Sequence, residues 1–515
     1  MSSLHHAAQR LGPPTPLTDD RRPCVVRRFL SSRRFHALLL FSTVFSLSGF
    51  SALKNRQLDY LGGMTDEWYY LGANLNVTGV LGLGDTPIVL RPPGYPAFIA
   101  LVLRAFAGTP PRATETYLTQ AKPAVYLAQA VLLAFSAVLL YLWLSSCVRS
   151  GVALLVALGF GASPFCIVLT GLFHYDIVHM VLLIAGCLAL ERSLRRRAPA
   201  ILPMVFCGLL WGGTTLVRPQ TLILPVFVLG ALVLRTGFEL RPALRGAAAF
   251  ALGLYLAVTP WTARNYGVVG RFIPVNLQSR AALWGSTVRL LGIHPDHYNW
   301  GQLLDAVKPI YRRVTGESEY QYPIYVLFNE EMDDAFGREA LRNLREKPEV
   351  YLGNALSSFL AFNFRVNSVL LKVFQHLQEP GTQVETDWFV VGHPQDFHSS
   401  ILSTAYTLSM YLLTATAIAG AWSAICRKQS SALAPGAVYL CLCVAHALLY
   451  MDFMYYYVKT PFLFVFAGYF ADACWDRELR LRPRGHRLGL ATALSVLLAV
   501  PSLILSLAML GGWPP

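Results

Sequence analysis

Apolar stretches of about 17 to 25 residues, each long enough to cross the hydrocarbon core of a bilayer, recur along nearly the whole chain. In lipid every backbone N–H and C=O must find its partner inside the protein, so such segments can only become helices or strands of a closed barrel. Runs of this length fit helices. The balance of 54% hydrophobic against 14% charged residues, with a mean hydropathy of +0.45 over 515 residues, excludes a water-soluble globule of this size. The fold class expected is all-α, a polytopic integral membrane protein.

Counting apolar segments in order gives spans near 36–53, 123–148, 151–170, 172–190, 201–217, 219–234, 246–263, 400–425, 435–451, 459–474 and 488–510, eleven in all. The first ~35 residues, polar and carrying Arg21, Arg22, Arg27, Arg28, Arg33 and Arg34, read as a disordered basic tail in front of a retained anchor helix. The net charge of +14 does not mark a nucleic-acid binder, because the basic residues sit in short clusters between apolar segments. Those clusters are Arg192/Arg195/Arg196/Arg197, Arg235/Arg241/Arg245, Arg427/Lys428 and Arg477/Arg480/Arg482/Arg484/Arg487. Eleven spans with the N-terminus inside place every cluster in the cytoplasm. A further segment, Gly94 to Gly108, would flip the later clusters outward if it crossed, so it reads as a juxtamembrane helix. Of nine cysteines, eight lie in or beside apolar segments, which implies packing and no disulfide framework.

The chain thus divides into the tail 1–35, a transmembrane catalytic module 36–263 with an outer loop 54–122, a large outer loop 264–399 and C-terminal helices 400–515. The large loop holds an amphipathic helix, in which Glu330, Glu331, Asp333, Asp334, Arg338, Arg342 and Arg345 interleave with Phe336, Ala340, Leu341 and Leu344; it is expected to rest on the membrane face.

Charged residues gather on the outer side of this topology. Asp66 and Glu67 open a helix behind Thr65, a place where acids also serve simply to offset the helix dipole. Leu90-Arg91-Pro92-Pro93-Gly94-Tyr95-Pro96 follows in the same loop and sets a cation beside rigid turns. Asp176 lies at the end of a span in His174-Tyr175-Asp176, where a charge is costly unless it has a partner or a task. Arg218, Arg264 and Lys459 also fall at outer helix ends, as functional cations or as anchors that snorkel. A carboxylate to take a proton, with fixed cations facing developing negative charge, suits transfer of a group from a phosphate leaving group. Neither a Walker A pattern nor a strand, GxGxxG and helix unit occurs, which argues against a soluble nucleotide donor. His294 and His297 have a spacing a metal could use, in a Pro-containing loop.

The order of these motifs resembles the glycosyltransferase C superfamily, specifically its branch of protein O-mannosyltransferases and bacterial aminoarabinose transferases acting on lipid A. The resemblance rests on Asp66-Glu67 with a following Tyr, Arg91-Pro92-Pro93-Gly94-Tyr95-Pro96, Asp176 at a helix end, Leu216-Val217-Arg218-Pro219, Pro260-Trp261-Thr262-Ala263-Arg264-Asn265 and Lys347-Pro348-Glu349-Val350-Tyr351-Leu352. It implies Asp66 as general base, Glu67 and Asp176 as further active-site acids, and Arg91, Arg218, Arg264 and Lys459 toward the donor phosphate. Tyr69 and Tyr95 would line the substrate pocket. Leu90 stands where the aminoarabinose branch has an acid, and Tyr69 where that branch has Arg.

The activity so implied is inverting transfer of a sugar from a polyprenyl-phosphate-linked donor to an acceptor hydroxyl on a lipid, polysaccharide or protein. The setting is the outer face of a membrane, that of a bacterial inner membrane by composition. No cofactor is required and none is assigned, with a divalent metal left open. The rival readings are a lipid-linked sugar transporter or flippase, which needs its charges at the bilayer midplane, and a non-catalytic relative that binds lipid-linked sugar.

Overall fold

The computed structural model describes residues 32–54, 66–112, 114–195, 199–288, 300–317, 329–364, 401–449 and 458–481. These form α1 (Arg33–Lys54), α2 (Asp66–Thr78), α3 (Gly94–Phe106), α4 (Glu115–Leu144), α5 (Ser150–Gly161), α6 (Pro164–Leu169), α7 (Asp176–Leu194), α8 (Ile201–Val217), α9 (Leu224–Thr236), α10 (Leu240–Val269), α11 (Gln278–Thr287), α12 (Trp300–Thr315), α13 (Glu330–Glu346), α14 (Pro348–Phe364), α15 (Ile401–Cys426), α16 (Leu433–Leu448) and α17 (Thr460–Leu481). Among the described residues the strands are β1 (Gly82–Leu83) and β2 (Thr86–Pro87), an antiparallel pair with Leu83 opposite Thr86. Gly84 turns that hairpin at φ +57°, a conformation that favours glycine.

The protein is all-α, as expected. Among the described residues seven helices are long and apolar enough to cross a membrane, and α3, α5 and α8 are shorter apolar helices. The expected span 488–510 lies outside the described residues. The expected span 151–170 is two helices instead: Ser163 is extended and Pro164 opens α6. Proline lacks the N–H a continuous helix needs and pushes the residue before it out of the helical region. The expected span 172–190 starts late, at Asp176, so residues 170–175 form a buried non-helical turn. At 13 residues, about 20 Å, α3 falls short of a ~30 Å hydrocarbon core, in keeping with a juxtamembrane helix.

Helices in lipid associate through close packing and polar contacts rather than a hydrophobic drive, which favours small residues where backbones meet. The pair α8 and α10 shows this. A Cβ on Gly208 would lie 2.0 Å from the Phe250 carbonyl oxygen, and one on Gly253 would lie 2.0 Å from that of Val205. No side chain fits at either position, so the two backbones meet directly. The main core, with Leu140, Phe160, Leu183, Trp211, Phe250 and Phe464, joins α4, α5, α7, α8, α10 and α17. A smaller core of Trp68, Tyr69, Tyr95, Ile99, Tyr126 and Phe173 seats α2 and α3 on α4 and the 170–175 turn.

Helices α11, α12 and α13 form a separate lobe around Trp284, Ile310, Tyr311, Met332 and Phe336. Asn329 caps α13, its side-chain oxygen accepting from the Met332 N–H at 2.8 Å. The helix is amphipathic as expected, and Met332, Ala335, Phe336 and Ala340 of its apolar face pack against α11 and α12, with the Trp284 and Phe336 rings 4.9 Å apart, while Leu341 stays exposed. The sequence showed the stripe without showing that two neighbouring helices would pack against it.

Arginines collect at the other end of α7 from Asp176. Arg235 donates to the Leu194 carbonyl at 2.7 Å, and Arg195 donates to buried Glu191 at 2.8 Å. The clusters around Arg195 and Arg235 thus meet at one end of the bundle, Arg235 reaching across 41 residues to Leu194.

Candidate functional site

The first loop supplies one half of the site. Glu67, in the first turn of α2, accepts two bonds from Arg91, from Nε at 2.6 Å and from Nη2 at 2.8 Å. This fork-on-carboxylate geometry fixes both orientation and charge. The Arg91 guanidinium also lies over the Trp68 ring, 5.2 Å from its centroid. Behind Arg91, Pro92 and Pro93 restrict the backbone, with Pro93 already in the helical region at φ −77° and ψ −22°, and α3 begins at Gly94. A Cβ on Gly94 would meet Val217 at 2.5 Å, so glycine lets α3 start against the last residue of α8. The backbone of Asp66 opens α2, but its side chain lies outside the described residues.

The other half is the turn before α7. Its backbone is satisfied by Gln129 of α4, which donates to the carbonyls of Thr170 at 3.0 Å and Leu172 at 2.9 Å. The oxygen of the same amide accepts from Tyr95 Oη at 2.8 Å. Such partners are needed where water is scarce. Asp176 accepts from Arg218 Nη1 at Oδ1, 3.1 Å, and meets His174 Nδ1 at Oδ2, 2.9 Å. Both Asp176 and Arg218 are 2% exposed. Arg218 adopts an extended conformation between α8 and a short 3-10 turn, φ −149° and ψ 114°, as its following Pro219 requires.

Aromatic rings join the two halves. The Arg218 guanidinium lies 5.2 Å from the Tyr175 ring centroid, and Tyr175 meets Trp68 edge-on at 5.2 Å. Arg91, Trp68, Tyr175 and Arg218 therefore form a chain of contacts with a carboxylate-bound cation at each end.

The remaining sequence candidates take other places. Tyr69 is fully buried, donates to the Leu118 carbonyl at 2.7 Å and packs on Phe173, while Tyr95 is equally buried under Trp68; both build the wall behind the site. Arg264, near the end of α10, donates to the carbonyls of Ile88 at 2.7 Å and Leu81 at 3.1 Å and lies 4.6 Å over Trp261. It ties the hairpin of the first loop to α10. Lys459 donates to the carbonyls of Phe362 at 2.6 Å and Asn363 at 3.4 Å, in the last turn of α14. A cation there satisfies carbonyls that the helix leaves open. The structure thus gathers Glu67, Arg91, Asp176 and Arg218, and sets Arg264 and Lys459 on backbone carbonyls instead of on that cluster.

No group of three or more potential metal ligands occurs among the described residues, and His294 and His297 lie outside them. His446 is buried, with Nδ1 2.7 Å from the Leu442 carbonyl and its ring 4.3 Å from Phe362. Sequence reasoning passed over His174 and Gln129. Gln129 carried a signal, since a polar amide inside an apolar span is costly without a partner.

The fold and site define an all-α polytopic membrane protein with its charged cluster at one end of the helical bundle. No protein-family model and no curated protein matches the chain. Among solved structures, the Archaeoglobus fulgidus oligosaccharyltransferase tethered by a disulfide bond to an acceptor peptide containing the NVT sequon aligns with a TM-score of 0.53 at 12% identity, over 95% of this chain and 56% of that one. The apo form of the same enzyme aligns with a TM-score of 0.51 at 13% identity, over 92% of this chain and 56% of that one. The chain therefore spans little more than half the length of these structures. At this identity the likeness shows the fold alone, which this chain shares with the aligned part of these structures.

Proposed function

We propose that the protein is an inverting glycosyltransferase that moves a sugar from a polyprenyl-phosphate-linked donor to an acceptor hydroxyl at the outer face of a bacterial cytoplasmic membrane. The observation that carries this reading is the pair of guanidiniums, Arg91 and Arg218, each held on a carboxylate and linked through Trp68 and Tyr175. Cations fixed before the reaction begins stabilise charge that develops on a departing phosphate without reorganising at that moment.

In this mechanism Asp66 takes the proton of the acceptor hydroxyl as its oxygen attacks the anomeric carbon. The bond from that carbon to the phosphate oxygen breaks, and its electron pair leaves with the polyprenyl phosphate toward Arg91 and Arg218. One displacement inverts the anomeric configuration. Glu67 and Asp176 position the two cations; the acceptor is a lipid, polysaccharide or protein hydroxyl.

The test is transfer of radiolabelled sugar from a panel of synthetic polyprenyl-phosphate sugars by the purified protein in nanodiscs, with membrane extract as acceptor. Transfer that disappears in Asp66→Asn while the variant stays folded supports the reading. Full activity in Asp66→Asn overturns the general-base role. Movement of intact lipid-linked sugar across the bilayer without transfer supports a flippase instead.

A further inference from the structure

One buried amide joins the two halves of the site. Gln129 lies in α4, within an apolar span, and is 0% exposed. Its Nε2 donates to the carbonyls of Thr170 at 3.0 Å and Leu172 at 2.9 Å, in the non-helical turn that leads to Asp176. Both partners are carbonyls and can only accept, so the amide nitrogen faces the turn. The amide oxygen then faces Tyr95, whose hydroxyl donates to it at 2.8 Å. Tyr95 opens α3 shortly after Arg91, and its ring meets Trp68, over which the Arg91 guanidinium lies. The turn carries Tyr175, whose ring faces the Arg218 guanidinium, and ends at Asp176, which accepts from that guanidinium. The ring contacts from Arg91 through Trp68 and Tyr175 to Arg218 are broad and let their partners slide, whereas the amide fixes three directions at once. Within an apolar span bulk water does not replace a lost bond.

We propose that Gln129 is a positioning residue that sets the spacing of the two cations, gripping the first loop through Tyr95 and the turn through the Thr170 and Leu172 carbonyls. It touches neither donor nor acceptor and acts through Arg91 and Arg218. The inference rests on the glycosyltransferase reading of the same site. Spacing matters there, because displacing a group that faces the transition state by about 1 Å costs on the order of 100-fold in rate. Glutamine suits the place: leucine has no hydrogen-bonding atom, asparagine is one methylene shorter, and an ionised glutamate cannot donate to the two carbonyls.

The experiment compares wild type, Tyr95→Phe, Gln129→Leu and the double variant in nanodiscs, below the unfolding temperature of each. It reads kcat and KM for sugar transfer and, in parallel, affinity for polyprenyl phosphate and for uncharged polyprenol. Gln129→Leu is expected to lower donor kcat/KM on the order of 100-fold. Tyr95→Phe keeps the ring and loses one bond, and is expected to lower it on the order of tenfold. Because both substitutions break the same bridge, adding Tyr95→Phe to Gln129→Leu is expected to cost nothing further. Affinity for polyprenyl phosphate is expected to fall in both single variants while affinity for polyprenol stays at the wild-type value. Variants that lose stability but keep wild-type kcat, KM and phosphate affinity when folded show a packing role and overturn the proposal. An equal loss for both lipids, or additive effects in the double variant, also overturns it. If Gln129→Leu does not fold, Tyr95→Phe decides the matter by the same criterion. Binding of polyprenyl phosphate without transfer by wild type overturns the transferase reading alone, and the affinities still judge Gln129. Absence of polyprenyl phosphate binding by wild type overturns both.

Discussion

Arginine–carboxylate pairs occur in two regions of this molecule under opposite conditions. At the site, Arg218 and Asp176 are each 2% exposed, and Arg91 and Glu67 are 15% and 8% exposed. In the lobe, Arg271 meets Asp334 at 2.5 Å and Arg313 meets Glu339 at 2.5 Å, with the arginines 47% and 62% exposed. Arg280 and Arg342 add second partners to the same acids. Exposed pairs are screened by water and contribute little, whereas a buried charge stripped of its partner is costly even though forming the pair gains little over an apolar substitute. The same chemical pair therefore secures a surface in one place and holds a constellation in the other.

The sharpest way to break this comparison is to remove one buried charge. Arg218→Ala is expected to cost about 3 to 5 kcal/mol, read as reduced thermal unfolding temperature in nanodiscs. The double variant Arg218→Met with Asp176→Leu is expected to recover most of that loss while transferring no sugar. A single-variant cost below about 1 kcal/mol would place the pair in the same class as the lobe's.

Next in size, Arg91→Lys keeps the charge and loses the fork on Glu67. Donor turnover, read as kcat/KM, is expected to fall on the order of 100-fold, with a small change in stability. Retained turnover would mean that charge alone suffices at that end of the contact chain.

In the lobe, Asp334→Ala removes a partner of both Arg271 and Arg280, yet the expected cost is about 1 kcal/mol or less, read by limited proteolysis of the lobe. Added salt should shrink that difference further and leave the Arg218 effect nearly unchanged.

The smallest effect depends on pH. Burial pushes the Asp333 carboxyl up to about 6, with Arg280 pulling it down and neighbouring Asp334 adding to the rise. For Asp334 burial also acts upward, but the bonds from Arg271 and Arg280 outweigh it and hold the carboxyl below its usual range. A carboxyl raised in the folded state binds its proton more tightly there than when unfolded. Its contribution to stability is complete below the unfolded value and is lost as pH rises through about 6. Asp333→Asn is thus expected to resist proteolysis better than wild type at pH 8 and to match it near pH 5. The opposite sign would show that the Arg280 contact dominates.

Much of the fold was legible because lipid leaves few choices: the apolar run 201–217 is α8, residue for residue. Helix ends were less so. The run 246–263 is only the middle of α10, which continues through Arg241 and Arg245 on one side and Arg264 on the other. Apolar counting stops at a charge, but backbone hydrogen bonding does not. At the site, an acid and a cation within one loop were readable at Glu67 and Arg91. The bond between Asp176 and Arg218 spans 42 residues and depends on how α7 and α8 pack, which no local pattern encodes. The helix-end use of Lys459 was hidden for the same reason, since its partners Phe362 and Asn363 lie 97 and 96 residues away.

Arg264 acts as a latch between α10 and the first loop. Its two grips on the carbonyls of Leu81 and Ile88 straddle the β1–β2 hairpin, and Ile88 is three residues from Arg91. Because α8 and α10 touch backbone to backbone at Gly208 and Gly253, there is little slack between that latch and Arg218. A tilt of α10 would be passed to both cations together, so that on the proposed function the two charges are set by one rigid movement and not separately.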